Sequence, residues 1–189
     1  RDEVVRMNRE EDSTMRTTVT YLFDPLCGWC YGASPVIQQL RQQANIQLEL
    51  APSGLFAGGG RTMDAAFADY AWFNDQRIAK LTGQRFTEDY RSKVLGRLGG
   101  RFDSATTTLA LTAVSFSEPQ RELETLKALQ EARYVQGLDT CDMSVVEKLL
   151  RDLGLATAAD CLAASAAELL AANAARIQKA RSLMQTFGA

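Results

Sequence analysis

TTVTYLFDPLCGWCYGASPVIQQLRQQANIQLEL, residues 17–50, is the stretch from which the architecture can be read. Thr17–Phe23 is β-branched and aromatic with no breaker, which predicts a buried strand. Asp24-Pro25 ends it, because proline cannot donate to a ladder and keeps the residue before it extended. Residues 27–44 read as a helix. Ala33, Val36, Ile37, Leu40 and Ala44 fall at i, i+3, i+4, i+7 and i+11, on one helical face. Residues 46–50 (IQLEL) alternate with period two and predict a second strand. Strand, helix and strand in about 35 residues form a βαβ unit, with parallel pairing through a right-handed crossover.

Downstream the pattern changes at Gly58-Gly59-Gly60, and every later segment has helical period. Residues 62–81 carry apolar and aromatic side chains up to Thr82-Gly83. Thr87 with Glu88 and Asp89 starts a helix that Gly99-Gly100 is expected to end. Ser104 opens another, and Ser117 with Pro119 opens the next. Asp142 can cap a segment that stops at Gly154, and Ser165-Ala166-Ala167-Glu168 reads as a capping box ahead of an alanine-rich helix reaching Phe187. The expected organisation is a polar extension at 1–14, a βαβ unit at 15–57 and a helical subdomain at 58–189. No fixed period recurs, so a solenoid is not expected.

The chemistry sits in Cys27-Gly28-Trp29-Cys30, placed where the first strand ends and the helix begins. A helix start offers unpaired N–H groups and about half a positive charge, which favour a thiolate at Cys27. C-x-x-C and helix-start cysteines have pKa values lowered from ~8.5 to about 3.5–7.5. Cys30 lies one turn on, within reach of a short disulfide with Cys27. Gly28 would let a partner chain approach closely, and Trp29 offers a flat apolar surface beside the sulfur. A structural pair or half a zinc site is the competing reading of this motif.

Residues 23–32 (FDPLCGWCYG) resemble the active-site segment of the DsbA family of thioredoxin-fold thiol–disulfide oxidoreductases, in its FrnE-like, predicted protein-disulfide isomerase branch. Pro35 resembles the helix-kinking proline of thioredoxins. On its own chemistry it removes one helical hydrogen bond and frees the carbonyl of Tyr31. Residues 132–139 (ARYVQGLD) and 52–55 (PSGL) also resemble this branch. The resemblance implies an α/β, thioredoxin-like fold of DsbA type with a large all-helical insertion after the second strand. It implies an enzyme acting on protein or peptide thiols and disulfides. Cys27 attacks and Cys30 resolves; Asp24, Pro25, Gly28 and Trp29 support them. No cofactor beyond the redox disulfide is implied, with glutathione as a co-substrate and glutathione or a thioredoxin-system reductant as electron partner. In that family a cis-proline loop, two more strands and a final helix follow the insertion. Pro25, Pro35, Pro52 and Pro119 do not occupy the cis-proline place, so the C-terminal half of that fold is expected to be missing from the sequence.

An alternative with the same architecture is a glutathione-dependent transferase or isomerase, of the kappa-class or 2-hydroxychromene-2-carboxylate isomerase type, acting on small molecules. Those proteins usually carry serine in place of the attacking cysteine. Asp24, three residues before Cys27, reads either as an acid relaying the Cys30 proton or as an Asx-Pro turn residue. Cys141 and Cys161 read as small buried hydrophobes or as a second disulfide. The four cysteines lack the spacing of a zinc knuckle, so no metal site is expected.

Whole-chain composition narrows the rest. Hydrophobic residues make up 46% and charged residues 23% of 189 positions, an ordinary globular balance that excludes a disordered chain. With 21 basic and 23 acidic residues the net charge is −2, so neither nucleic acid nor a membrane is an expected partner. No apolar run approaches the roughly 18 residues of a membrane span. The chain has no histidine, which excludes Ser-His and Cys-His pairs and any imidazole proton shuttle. Residues 1–14 are polar without an apolar core, so no signal peptide is read there. A cytoplasmic location is expected, or a periplasmic one if a leader preceded Arg1.

Overall fold

Two strands pair in parallel. In the computed structural model, which describes residues 16–188, β1 (Thr17–Phe23) and β2 (Ile46–Pro52) run in register from Thr17 opposite Ile46 to Phe23 opposite Pro52. The extension expected at 1–14 lies outside the described residues. β1 is less buried than its composition suggests: Thr17, Thr18 and Thr20 are exposed, and only Phe23 is fully buried. Among the described residues β1 has β2 as its single neighbour, and its threonines stay in water.

The crossover helix α1 is Gly28–Arg41, beginning one residue later and ending three residues earlier than its periodicity predicts. Ile37 is buried, with Ala33 and Leu40 packed against the same core. Val36 is 57% exposed and Ala44 is also exposed, so the apolar face is narrower than expected. Pro35 is accommodated without a break. The Tyr31 carbonyl that it frees accepts instead from Nε2 of Gln84 at 2.9 Å.

The helical region follows β2. Asp64 caps α2 (Ala65–Thr82) by accepting from the Phe67 amide, and Gly83 ends it in the left-handed conformation. Thr87 caps α3 (Glu88–Tyr90), which runs directly into a π-helical stretch, Arg91–Leu95, and closes at Gly96 rather than at Gly99-Gly100. Then come α4 (Ala105–Ser117), a 3₁₀ turn at Pro119–Arg121, α5 (Glu122–Tyr134) and α6 (Met143–Asp152), with Asp142 capping α6 as expected. The region ends with α7 (Ala156–Ala164) and α8 (Ala167–Phe187). The capping box at Ser165 does not form. Ser165 is in the left-handed region at φ 45° and its hydroxyl donates back to the Leu162 carbonyl, so it closes α7 instead of opening α8.

Two cores result. One joins the sheet and α1 to α4, α5, α6, α7 and α8 through residues such as Phe23, Leu111, Leu126, Leu150 and Leu162. The other is aromatic and lies under the start of α1: the Tyr134 ring stacks on Tyr31 at 4.9 Å and meets Phe86 and Tyr90 edge-on at 5.0 Å.

Candidate active site

The turn after β1 sets the site. The Cys27 amide donates to the Asp24 carbonyl at 3.0 Å, and Oδ1 of Asp24 accepts from the Leu26 amide at 2.9 Å. Oδ2 of the same carboxylate accepts from the Phe56 amide at 3.1 Å and from the Ser104 hydroxyl at 2.7 Å. Asp24 thus ties the end of β1 to the segment after β2 and to the start of α4. Burial pushes its pKa up, against the donors from Ser104, Leu26 and Phe56. Pro25 is buried within this turn.

Cys27 is the N-cap of α1, with extended backbone (φ −84°, ψ 116°), which puts it at the positive end of the helix although its sulfur makes no capping hydrogen bond. Its thiol is pulled down to about 7. The Cys30 thiol donating to it is the first cause; the Cys30 and Trp29 amides add to this, while burial and the Asp24 charge oppose it. Cys30 moves the other way: donating to Cys27, its burial and the Cys27 charge all raise its pKa. Both are free thiols, half-buried.

Gly28 is partly buried and packs closely on α2. A Cβ there would lie 2.5 Å from Oδ1 of Asp75 and 3.2 Å from Ile78, so the close approach it permits is that of α2. Trp29 is 46% exposed, with the Arg77 guanidinium 5.9 Å from its ring. Cys141 is buried in the aromatic core while Cys161 packs against the other, so these two thiols do not pair. Among the described residues no cluster of three or more His, Cys, Asp or Glu could hold a metal.

Three groups that the motif does not announce complete the site. Tyr21 on β1 donates to the Cys30 carbonyl at 3.1 Å. The Tyr134 hydroxyl donates to the Leu26 carbonyl at 2.7 Å, holding the turn from the far side. Asp75 is buried, accepts from the Tyr90 hydroxyl at 2.8 Å, and lines a cavity of about 160 Å³ together with Cys27, Gly28 and Trp29. Burial lifts its carboxyl to about 7, against the Tyr90 hydrogen bond and the Arg133 charge. A signal for Asp75 does exist in the sequence: Ala71, Asp75 and Ile78 share one face of α2, which places a carboxylate on the packed side.

A parallel strand pair whose crossover helix begins at a C-x-x-C, followed by an all-helical insertion, is the architecture of a DsbA-type thioredoxin-fold redox protein. No family model matches the chain, and no curated protein does. Solved structures do. The cytosolic disulfide reductase DsbM from Pseudomonas aeruginosa is 32% identical, with a TM-score of 0.81 over 91% of this chain and 80% of that one. The same reductase with glutathione gives 33% identity and a TM-score of 0.80, over 91% and 81% of the two chains. A candidate protein disulfide isomerase from Nitrosomonas europaea is 23% identical, with a TM-score of 0.77 over 92% and 80%, and bears on the fold alone. The chain belongs to the DsbA family of thioredoxin-fold thiol–disulfide oxidoreductases. Among the described residues no helix is long and apolar enough to cross a membrane.

Proposed function

We propose that the protein reduces disulfides of proteins or peptides through Cys27 and Cys30, with glutathione as electron donor, in the cytoplasm. The observation that carries this reading is the placement of Cys27 at the N-cap of α1 and in the lining of a cavity, with Cys30 one turn on and both thiols free and half-buried. The Cys27 thiolate attacks a substrate disulfide R–S–S–R′, forming Cys27–S–S–R and releasing R′S⁻. Cys30 then attacks the Cys27 sulfur, expelling RS⁻ and leaving the Cys27–Cys30 disulfide. The substrate has gained two electrons and the pair has lost two. Two glutathione thiols return them in two further exchanges, leaving one molecule of glutathione disulfide.

The direction follows from the thiol. A C-x-x-C cysteine with a pKa near 7 accompanies a potential of about −270 mV in thioredoxin, whereas one near 3.5 accompanies about −120 mV in DsbA. A Cys27 thiol lowered only to about 7 falls on the thioredoxin side of that range and supports a reducing direction. The name of the Pseudomonas relative and its structure with glutathione support the same direction. Asp24 supports the pair by fixing the turn, Pro25 by ending β1, Gly28 by admitting α2, and Trp29 by offering its exposed ring to the substrate.

The test is glutathione-coupled reduction of a disulfide-bonded peptide. Cys27→Ser is expected to abolish turnover, and Cys30→Ser to accumulate mixed disulfides on Cys27. Turnover that survives Cys27→Ser overturns the assignment.

A further inference from the structure

We propose that Asp75 donates the proton that the departing thiolate takes up when Cys27 attacks a disulfide. This rests on the role given to Cys27 above and adds a second group to the reacting centre. Attack by Cys27 expels R′S⁻, and because a basic alkylthiolate leaves more slowly than an acidic one, a proton delivered as it departs speeds the step. The chain has no histidine to supply that proton. The cavity beside Cys27 contains one carboxyl group, that of Asp75.

The placement of Asp75 fits the task. Oδ2 is held by the Tyr90 hydroxyl, while Oδ1 lies against the Cα of Gly28, the first residue of α1 and the neighbour of Cys27. Asp75 takes part in no ion pair among the described residues. The groups facing it come from every element packed around it. α1 brings the Cys27 thiol to the same cavity, and Tyr90 at the end of α3 brings its hydroxyl. α5 brings Arg133, whose charge favours the carboxylate, and Tyr134, whose hydroxyl is committed to Leu26. Burial outweighs Arg133 and Tyr90, so the acid keeps its proton to about neutrality. In the step itself the Cys27–S–R bond forms, the S–S bond breaks, and the proton passes from Asp75 to R′S⁻, giving R′SH and a carboxylate. Exchange with bulk solvent then returns a proton to the carboxylate. No electrons move beyond those of the exchange.

Two probes separate this role from a structural one. Bis(2-hydroxyethyl) disulfide releases a basic alkylthiolate that needs a proton. 5,5′-Dithiobis(2-nitrobenzoate) releases an acidic arylthiolate that needs none. Single-turnover reduction by the reduced full chain is measured with both, from pH 5 to 9. Asp75→Asn is expected to slow the alkyl probe ~10²-fold while leaving the aryl probe within about twofold. In the unsubstituted protein the alkyl-to-aryl rate ratio cancels Cys27 ionisation and should fall as pH rises through 7. Tyr90→Phe removes a bond that favours the carboxylate, so it should move that fall to higher pH, and it settles the matter if Asp75→Asn does not fold. Equal losses on both probes, or no loss on the alkyl probe, overturn the proposal, as does an unmoved ratio profile in Tyr90→Phe. Failure of the Cys27 reading has a different signature: both probes are then reduced undiminished by Cys27→Ser.

Discussion

Cys27 and Cys30 have the same ordinary thiol pKa of 9.0 and are driven apart by three residues of chain. At the N-cap, the Cys27 charge is favoured by the Cys30 thiol and the Cys30 and Trp29 amides, whereas Cys30, inside the first turn, is held neutral by Cys27 and by burial. Cys30→Ala removes the largest of the influences that hold Cys27 down, so the Cys27 pKa must rise from about 7 toward 9.0. The rate of iodoacetamide alkylation against pH reads that midpoint, and a midpoint unmoved by Cys30→Ala would show the helix amides sufficing alone. The same shift sets a stability window for the reduced protein. A thiol whose folded pKa lies below its unfolded one stabilises the fold when ionised, fully above 9.0 and not at all well below 7. Reduced protein should therefore resist urea better at pH 9 than at pH 7, and Cys27→Ser should flatten that gain. Cys30, shifted upward, works against stability only as pH climbs beyond 9.0.

At the scale of elements, long-range polar ties decide what local pattern leaves open. Arg176 on α8 meets the Glu122 carboxylate at the start of α5, and also reaches the Leu50 carbonyl of β2 at 3.3 Å and the Thr112 hydroxyl of α4 at 3.1 Å. Glu122 is buried, and burial raises its pKa against the pull of Arg176. Arg176→Met would leave that carboxylate buried and unpaired, at a cost of about 3–5 kcal/mol in urea unfolding at pH 7. Glu122→Gln in the same background should recover much of the loss; equal stability of the single and double variants would mean the pair carries little. Such ties also mark the limit of sequence reading. β1, α1 and β2 are legible because Asp24-Pro25, the period of 27–44 and the alternation at 46–50 are local signals. The freed Tyr31 carbonyl was legible too, but not its donor, Gln84, 53 residues on. Ser104 has the composition of a helix cap, yet its hydroxyl is drawn off to Asp24, 80 residues earlier. Val36 has the spacing of a core residue but no second layer to cover it, and Ser165 has a capping-box signature that a left-handed backbone cancels. Cys27 and Cys30 are visible as a motif; Asp75 and Tyr21 become part of the site only when α2 and β1 close on it.

For the molecule as a whole, the same ties bear on whether the units expected at 15–57 and 58–189 behave separately. Each side of the active-site turn is held by the helical region: Asp24 by Ser104, Leu26 by Tyr134, and the carbonyls of Ser53 and Gly54 by Arg181 of α8. The sheet shares one continuous core with α4 to α8, and two strands alone fall short of the three or more that an isolated sheet needs for stability. We propose, accordingly, that the two units fold as one and that the boundary at residue 58 is topological. The two tryptophans allow a direct measurement, since Trp29 lies in the βαβ unit and Trp72 in α2. In Trp72→Phe the fluorescence reports on the first unit, and in Trp29→Phe on the second. Each variant's fluorescence transition in urea is expected to coincide with its own far-ultraviolet circular dichroism transition. A Trp29 transition that precedes loss of helix would separate the units. It would also mean that the redox turn opens while the insertion stays folded, and that the amides holding Cys27 are lost before the rest of the chain.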